Sequence, residues 1–98
     1  MIDIQSKIHD SRTIEFKVGY IPQPNMPESD FVMNTWIFMP DSLDINRRTF
    51  NKGMFYQNVH SHIRLITPTF SLSQLIDAEN MPIRMLSRAI KRLEKFNN

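Results

Sequence analysis

Apolar and polar side chains alternate through the first part of the chain. In residues 2–8 the isoleucines stand at every second position apart from one serine, and residues 13–21 repeat the pattern more regularly. The apolar side of this second segment carries Ile14, Phe16, Val18 and Tyr20. A period of two is typical of a strand with one buried face, so the pattern predicts two strands.

A third strand is indicated by residues 31–39, which are rich in aromatic and β-branched side chains and stop at Pro40. Residues 22–30 hold three prolines, and proline removes the backbone donors that regular pairing needs. We therefore expect a loop there. The first 39 residues would then form a two- or three-stranded antiparallel sheet, which needs a covering layer.

Helical spacing in the second half predicts that layer. After a turn-rich segment at 40–50, apolar residues recur four apart, as Phe55, Val59 and Ile63. This spacing predicts a helix over residues 51–65. Asn51 or Thr49 would cap its start, and Pro68 would end it, because the residue before a proline avoids helical dihedral angles.

A second, short helix is expected from about residue 72 to residue 78. Ser71 and Gln74 have the spacing of a capping box, and Phe70 and Leu75 stand at the two positions of a hydrophobic staple. These two signals together mark the start of a helix.

The last helix is predicted over residues 80–98. Asn80 is its expected cap, and Pro82 falls in the first turn, where its missing N–H costs nothing. Its apolar stripe has spacings of three, four and three: Ile83, Leu86, Ile90 and Leu93. Such a stripe is typical of an amphipathic helix that covers a core.

The predicted fold class is α+β, with a small antiparallel sheet of two or three strands in the N-terminal half and two or three covering helices in the C-terminal half. The 98 residues form one domain, interpreted as the N-terminal module of a longer chain. The predicted core consists of Phe16, Val18, Trp36, Phe38, Phe55, Val59, Ile63, Leu75, Leu86 and Ile90.

Composition excludes several kinds of site. The chain has no cysteine, so disulfides, thiolate metal sites and cysteine nucleophiles are ruled out. Only two glycines are present, and no phosphate-binding glycine-rich loop or nucleophile elbow occurs. The first ten residues carry charges and no apolar run, unlike a signal peptide, and no stretch approaches a membrane-spanning length. We therefore expect a cytoplasmic location and no cofactor.

His60 and His62 are the first candidates for chemistry, but their spacing does not favour a metal site. On a helix, two residues two apart point about 200° away from each other. In a strand both would face one side, yet a third ligand would have to come from His9 or from a carboxylate such as Asp41 or Asp44. We predict no metal site, and an enzyme would need one of these histidines to share a pocket with one of these aspartates.

Arg47 and Arg48 stand before the predicted first helix, where they could bind an anion near its N-terminus. A local ion pair or simple solvation is the preferred interpretation, because exposed pairs of this kind are common and weak.

Basic residues concentrate at the C-terminal end of the chain. Residues 80–98 hold five basic residues and one acid, whereas residues 1–79 hold seven basic and nine acidic residues. The favoured function is a non-catalytic interaction or scaffold domain that contacts a protein partner, or a second copy, through the last helix or a sheet edge. The alternative is nucleic-acid binding through the basic side chains. The predicted contact residues are Arg84, Leu86, Arg88, Lys91, Arg92, Leu93 and Lys95.

A spread of short motifs gives one family resemblance. "WIFMP" at 36–40, "SLDIN" at 42–46, "FY" at 55–56 and "IRLITP" at 63–68 resemble the N-terminal region of longer, uncharacterised bacterial proteins. The likeness covers about a third of the chain. It implies a module at the start of a larger protein, with a membrane-associated later part as one option, and it supplies no activity and no functional residues.

Overall fold

The chain forms a six-stranded antiparallel sheet with two helices on one face, in a computed structural model that describes residues 2–10, 12–20, 34–59, 62–67 and 69–96. The elements are β1 (Ile2–Asp10), β2 (Thr13–Tyr20), β3 (Asn34–Asp44), β4 (Thr49–Val59), β5 (His62–Leu65), α1 (Phe70–Ile76), β6 (Met81–Pro82) and α2 (Ile83–Phe96).

Neighbouring strands of the sheet follow one another along the chain, in the order β1-β2-β3-β4-β5. The two-residue strand β6 lies beside the start of β4, pairing Met81 with Phe50. The end of β4 pairs with β5, from Tyr56 opposite Leu65 to Val59 opposite His62. β5 and β6 therefore lie along the same side of β4, which has β3 on its other side.

The prediction of a small two- or three-stranded sheet is wrong, because the second half of the chain adds strands. The first two predicted strands are confirmed as β1 and β2, and the third as β3. Residues 31–33, the start of the third predicted strand, lie outside the described part. The expected loop at 22–30 also lies outside it. The helix predicted over 51–65 is wrong: residues 51–59 belong to β4 and residues 62–65 to β5, while residues 60–61 lie outside the described part.

The prediction of a turn-rich segment at 40–50 is also wrong, because most of these residues lie in strands. β3 continues through Pro40 to Asp44, a four-residue turn follows, and β4 begins at Thr49. β3 and β4 pair at Pro40 with Gly53 and again at Ser42 with Asn51. The residues between these pairs, Asp41 and Lys52, are not paired with each other. At this point the hairpin bends.

The bend changes which side of each strand faces the core. Phe55 is buried on β4, and so is Phe50, although five residues separate them. Residues an odd number apart on a flat strand face opposite ways. Between them Lys52 has a positive φ of 47°, and this local change of direction turns Phe50 back toward the core. Phe38 contacts both rings, with centroid distances of 4.7 Å to Phe50 and 5.2 Å to Phe55.

The core lies between the sheet and the two helices. Its buried residues are Ile14, Phe16, Val18, Trp36, Phe38, Phe50, Phe55, Leu72, Ile76, Ile83, Leu86 and Ile90. Seven of the ten predicted core residues are buried, and Leu75 is half-buried against the core. Ile63 is 65% exposed on β5, so its assignment to the core is wrong, and the side chain of Val59 lies outside the described set.

Both C-terminal helices are confirmed, but their predicted starts are not. α1 follows Thr69, which makes no side-chain capping bond, and Ser71 lies inside the helix. Phe70 is 81% exposed and therefore does not form the expected staple. Asn80 has a positive φ of 51° and precedes β6, so it is not the cap of α2.

The connection between α1 and α2 is tied to the hairpin of β3 and β4 by backbone groups. Lys52 N–H donates to the carbonyl oxygen of Ala78 at 3.1 Å, and Ile83 N–H donates to that of Arg48 at 3.0 Å. The side-chain oxygen of Asn51 accepts a hydrogen bond from Asn80 N–H. These bonds fix the point at which α2 starts across the sheet.

Candidate interaction surface

α2 has one apolar side, and that side is used to build the core. Ile83, Leu86 and Ile90 are buried against the sheet, and Leu93 is half-buried. Leu86 was a predicted partner-binding residue, and this assignment needs correction because its side chain is 0% exposed. A seam of the coiled-coil type along 83–93 would need these side chains free.

The other side of α2 is cationic. The exposed residues of its described side chains are one methionine, Met85, and four cations: Arg84, Arg88, Lys91 and Arg92. Lys95, the fifth predicted basic contact, has a side chain outside the described set. The only acid of α2, Glu94, is 3% exposed and therefore does not lie on this surface.

These four cations have no acidic partner among the described residues. The ion pairs found there are His9–Glu15, Lys17–Glu15 and Arg47–Asp44. Arg48 donates instead to the hydroxyl of Ser6 at 3.1 Å. Arg47 thus forms a local ion pair, one of the two states expected from the sequence, and Arg48 contacts the distant strand β1. The arginines of α2 are exposed and have no such partner among the described residues.

A groove separates α1 from α2 and has two of these arginines at its edge. Its wider part is a cavity of about 390 Å³, lined by Ser71, Gln74, Leu75, Met81, Met85, Arg88, Ala89 and Arg92. A second cavity of about 200 Å³ continues along it, lined by Thr69, Ser71, Leu72, Leu75, Ala89, Arg92 and Leu93. We call the two together the α1–α2 groove. Ser71, Leu75, Ala89 and Arg92 line both parts.

The α1–α2 groove combines two kinds of chemistry. Its floor of leucine, alanine and methionine side chains can hold apolar groups, and methionine adapts to irregular shapes. Arg88 and Arg92 lie one helical turn apart at its edge and present planar guanidinium groups, which bind carboxylates or phosphates through paired hydrogen bonds. The groove therefore suits a ligand that is apolar on one side and anionic on the other.

The candidate metal and catalytic residues that the structure describes are not brought together. His62 is exposed on β5, while Asp41 and Asp44 are exposed at the far end of the β3–β4 hairpin. The register separates the row of His62 from that of Asp41 by seven strand positions, or roughly 23 Å. His60 lies outside the described residues. Within the described ranges no group of three or more histidines and acids could hold a metal ion.

The groove itself was missed by the sequence analysis. Ser71, Gln74 and Leu75 were interpreted as signals for the start of a helix, and Leu75 also as a core residue. Their spacing also places Ser71, Gln74 and Leu75 within one turn of each other on α1, which is a signal for a shared face. No pattern in the sequence, however, indicates that this face of α1 lies beside Arg88 and Arg92 of α2.

Comparisons with protein-family models, with curated proteins and with solved structures gave no match. The resemblance to the N-terminal regions of bacterial proteins therefore stays a prediction. Among the described residues, no helix has both the length and the apolar character needed to cross a membrane.

Proposed function

We propose that this domain is a non-catalytic interaction module that binds an acidic, amphipathic segment of a partner protein in the α1–α2 groove. The observation that carries the proposal is the cationic edge of the groove. Arg88 and Arg92 lie over an apolar floor, and neither forms an ion pair with another described residue. A cytoplasmic setting fits a chain without cysteine and belongs to the same proposal.

The dimensions of the groove limit the length of the bound segment. α1 has seven residues and is therefore about 10 Å long. That length matches about two turns of a partner helix, which would insert apolar side chains three or four positions apart. Acidic residues beside these anchors would reach Arg88 and Arg92. Arg84 and Lys91, further from α1 on the same helix, would attract the segment over a longer range.

The first prediction is that reversing the charge at the groove edge removes binding of an acidic peptide. The probe is a labelled helical peptide of alternating leucine pairs and glutamate pairs, titrated by fluorescence anisotropy at low salt. The Arg88→Glu/Arg92→Glu variant should bind at least about tenfold more weakly, because two attractive charges become repulsive. Moderate affinity for the unaltered chain is expected, with a clear but limited decrease at high salt.

The matched control is Arg12→Glu/Arg64→Glu. It makes the same change in net charge at two exposed arginines outside the groove. Equal loss in both variants would show a general charge effect and would contradict a groove site. Undiminished binding by the Arg88→Glu/Arg92→Glu variant would contradict it as well.

Nucleic-acid binding is the second candidate function. It is favoured by one observation: Arg84, Arg88 and Lys91 are exposed at spacings of four and three along the outer side of α2. Such a row can contact successive phosphates. Arg84→Glu/Lys91→Glu should then weaken binding of a DNA duplex with a steep salt dependence. The same variant should weaken binding of the acidic peptide much less than the groove variant does.

A further inference from the structure

The face of the sheet opposite the helices carries an apolar surface of its own. Side chains on this face of β3, β4 and β5 alternate with the buried ones, and the cross-strand register sets them in rows. One row joins Ile37, Tyr56 and Leu65, and a second joins Thr35, Asn58 and Ile63. A third joins Met39 with Met54. We call these eight residues the open sheet face.

None of the eight residues of the open sheet face is charged, and the charged side chains Arg12 and Asp41 stand beside Met39, Met54 and Tyr56 at one end of it. The corresponding positions of β1 and β2 are mostly charged, as expected for a solvated face: Asp3, Gln5, Lys7, Thr13, Glu15 and Lys17. On β3 to β5 the most exposed members are instead Met39, Met54, Ile63 and Leu65, with 43%, 52%, 65% and 56% of their surface accessible. Large apolar side chains side by side on an exposed face mark an interaction site.

We propose that a second copy of this chain covers the open sheet face, so that two sheets stack face to face in a twofold dimer. A patch without charged residues offers nothing to select a charged partner. Its apolar side chains can instead pack against the same side chains of a second copy. In a twofold dimer the same patch is contributed by both copies, so apolar side chains of one copy meet apolar side chains of the other. This inference concerns the face opposite the α1–α2 groove and does not rest on the proposed function.

The border of the patch also suits a second copy. Glu15 lies 3.6 Å from Lys17 and 3.3 Å from His9, so the charged strip on β1 and β2 holds both signs. Two such strips brought together across a twofold axis can pair opposite charges rather than repel. An acidic or basic foreign surface would face a mixture of attraction and repulsion there.

The area of the face is large enough for a stable dimer. The open sheet face together with the charged strip on β1 and β2 spans five strands, which at a spacing of about 4.8 Å make a face roughly 24 Å wide. Neighbouring strands pair over four to nine residues, so the face is roughly 13 to 30 Å long. The accessible area of a corrugated surface of this footprint approaches the ~800 Å² per partner found in stable interfaces. Stacked sheets pack about 10 Å apart, a distance that methionine, isoleucine and tyrosine side chains can fill from both sides.

The test is the solution mass measured by light scattering after size exclusion, over a wide concentration range and at low and high salt. The expected mass is twice the 11.6 kDa of one chain, with little dependence on salt. Met39→Lys/Met54→Lys should raise the dissociation constant of the dimer by at least about tenfold, because it sets four lysines against one another in the interface. Circular dichroism checks that this variant folds, which its exposed positions favour.

The matched control is Met85→Lys, since Met85 is 40% exposed but lies on α2. It should leave the dimer intact. A chain that stays monomeric at every concentration would overturn the proposal. A dimer that survives Met39→Lys/Met54→Lys, or one that Met85→Lys disrupts equally, would place the contact at the β5 edge or in the helical layer and would overturn it too.

Discussion

Trp36 and Glu94 connect the sheet to the last turns of α2. The indole Nε1–H of Trp36 donates to Oε1 of Glu94 at 2.7 Å, and both side chains are almost fully buried. The same indole packs edge-on against Phe55, with ring centroids 5.6 Å apart. A buried donor needs its acceptor, since an unpaired one costs about 1–3 kcal/mol. This bond therefore contributes to the register in which α2 lies on the sheet.

At this position we predict that Glu94→Leu lowers the free energy of unfolding by about 1–3 kcal/mol, because the indole N–H loses its acceptor. Glu94→Gln keeps a side-chain oxygen and should cost less. Urea unfolding followed by far-ultraviolet circular dichroism gives the values for both variants and for Trp36→Phe. If the effects of Glu94→Leu and Trp36→Phe are simply additive in the double variant, the hydrogen bond has no energetic role.

The burial of Glu94 could have been predicted from the sequence. It follows Ile90 by four residues and therefore continues the apolar stripe of α2 by one turn. From the sequence, Glu94 was considered only as the one acid among five basic residues. An acid at a core position of an amphipathic helix predicts a buried donor nearby, and the single tryptophan of the chain was the obvious candidate.

Among the elements, the bent hairpin of β3 and β4 shows why the second half was mispredicted. Phe55 and Val59 are four apart, and a spacing of four fits both a helix face and a strand face. The burial of Phe50 breaks strict alternation, because the chain turns at Lys52. The alternation of apolar and polar residues is therefore lost in the sequence at the point where tertiary packing bends the strand. The regular alternation of β2, which has no such bend, was enough to predict it.

At the bend we predict that substitutions of two adjacent residues, Gly53 and Lys52, change the stability of the fold in opposite directions. A Cβ on Gly53 would stand 2.5 Å from Cε2 of Phe38 and 2.8 Å from the carbonyl oxygen of Met39. We expect Gly53→Ala to destabilise the fold by about 1–3 kcal/mol through overpacking. Lys52→Gly should be neutral or stabilising by up to about 1 kcal/mol, since Lys52 is exposed and adopts φ of 47°. Thermal unfolding of both variants tests the pair, and a Gly53→Ala variant as stable as the unaltered chain would contradict the close contact.

For the whole molecule, the sheet depends on α2 for its cover. α2 supplies three buried residues, Ile83, Leu86 and Ile90, to the core cluster that also holds Phe16 and Trp36. A sheet with an uncovered apolar face is not stable alone. We predict that a chain truncated after Pro82 loses its cooperative thermal transition and binds a hydrophobic dye. Adding a peptide of residues 83–98 should restore the transition, and a truncated chain that melts cooperatively would contradict this role of α2.

The candidate surfaces could be predicted only in part. The cationic side of α2 follows from sequence, because charge and helical spacing are local. The α1–α2 groove and the open sheet face each combine residues from separate elements, and their contact depends on strand order. With residues 51–65 assigned to a helix, the two strand rows that hold Tyr56 with Leu65 and Asn58 with Ile63 could not be recognised.

The position of Trp36 gives the protein an internal optical reporter. It is the only tryptophan, it is 5% exposed, and it lies under α2 in contact with Glu94. Its emission therefore follows the attachment of that helix to the sheet rather than events at the outer surfaces. A ligand in the α1–α2 groove or a second copy on the open sheet face can be added without touching this fluorophore. A shift of its emission to longer wavelength then has one structural meaning, which is that water has reached the space between α2 and the sheet.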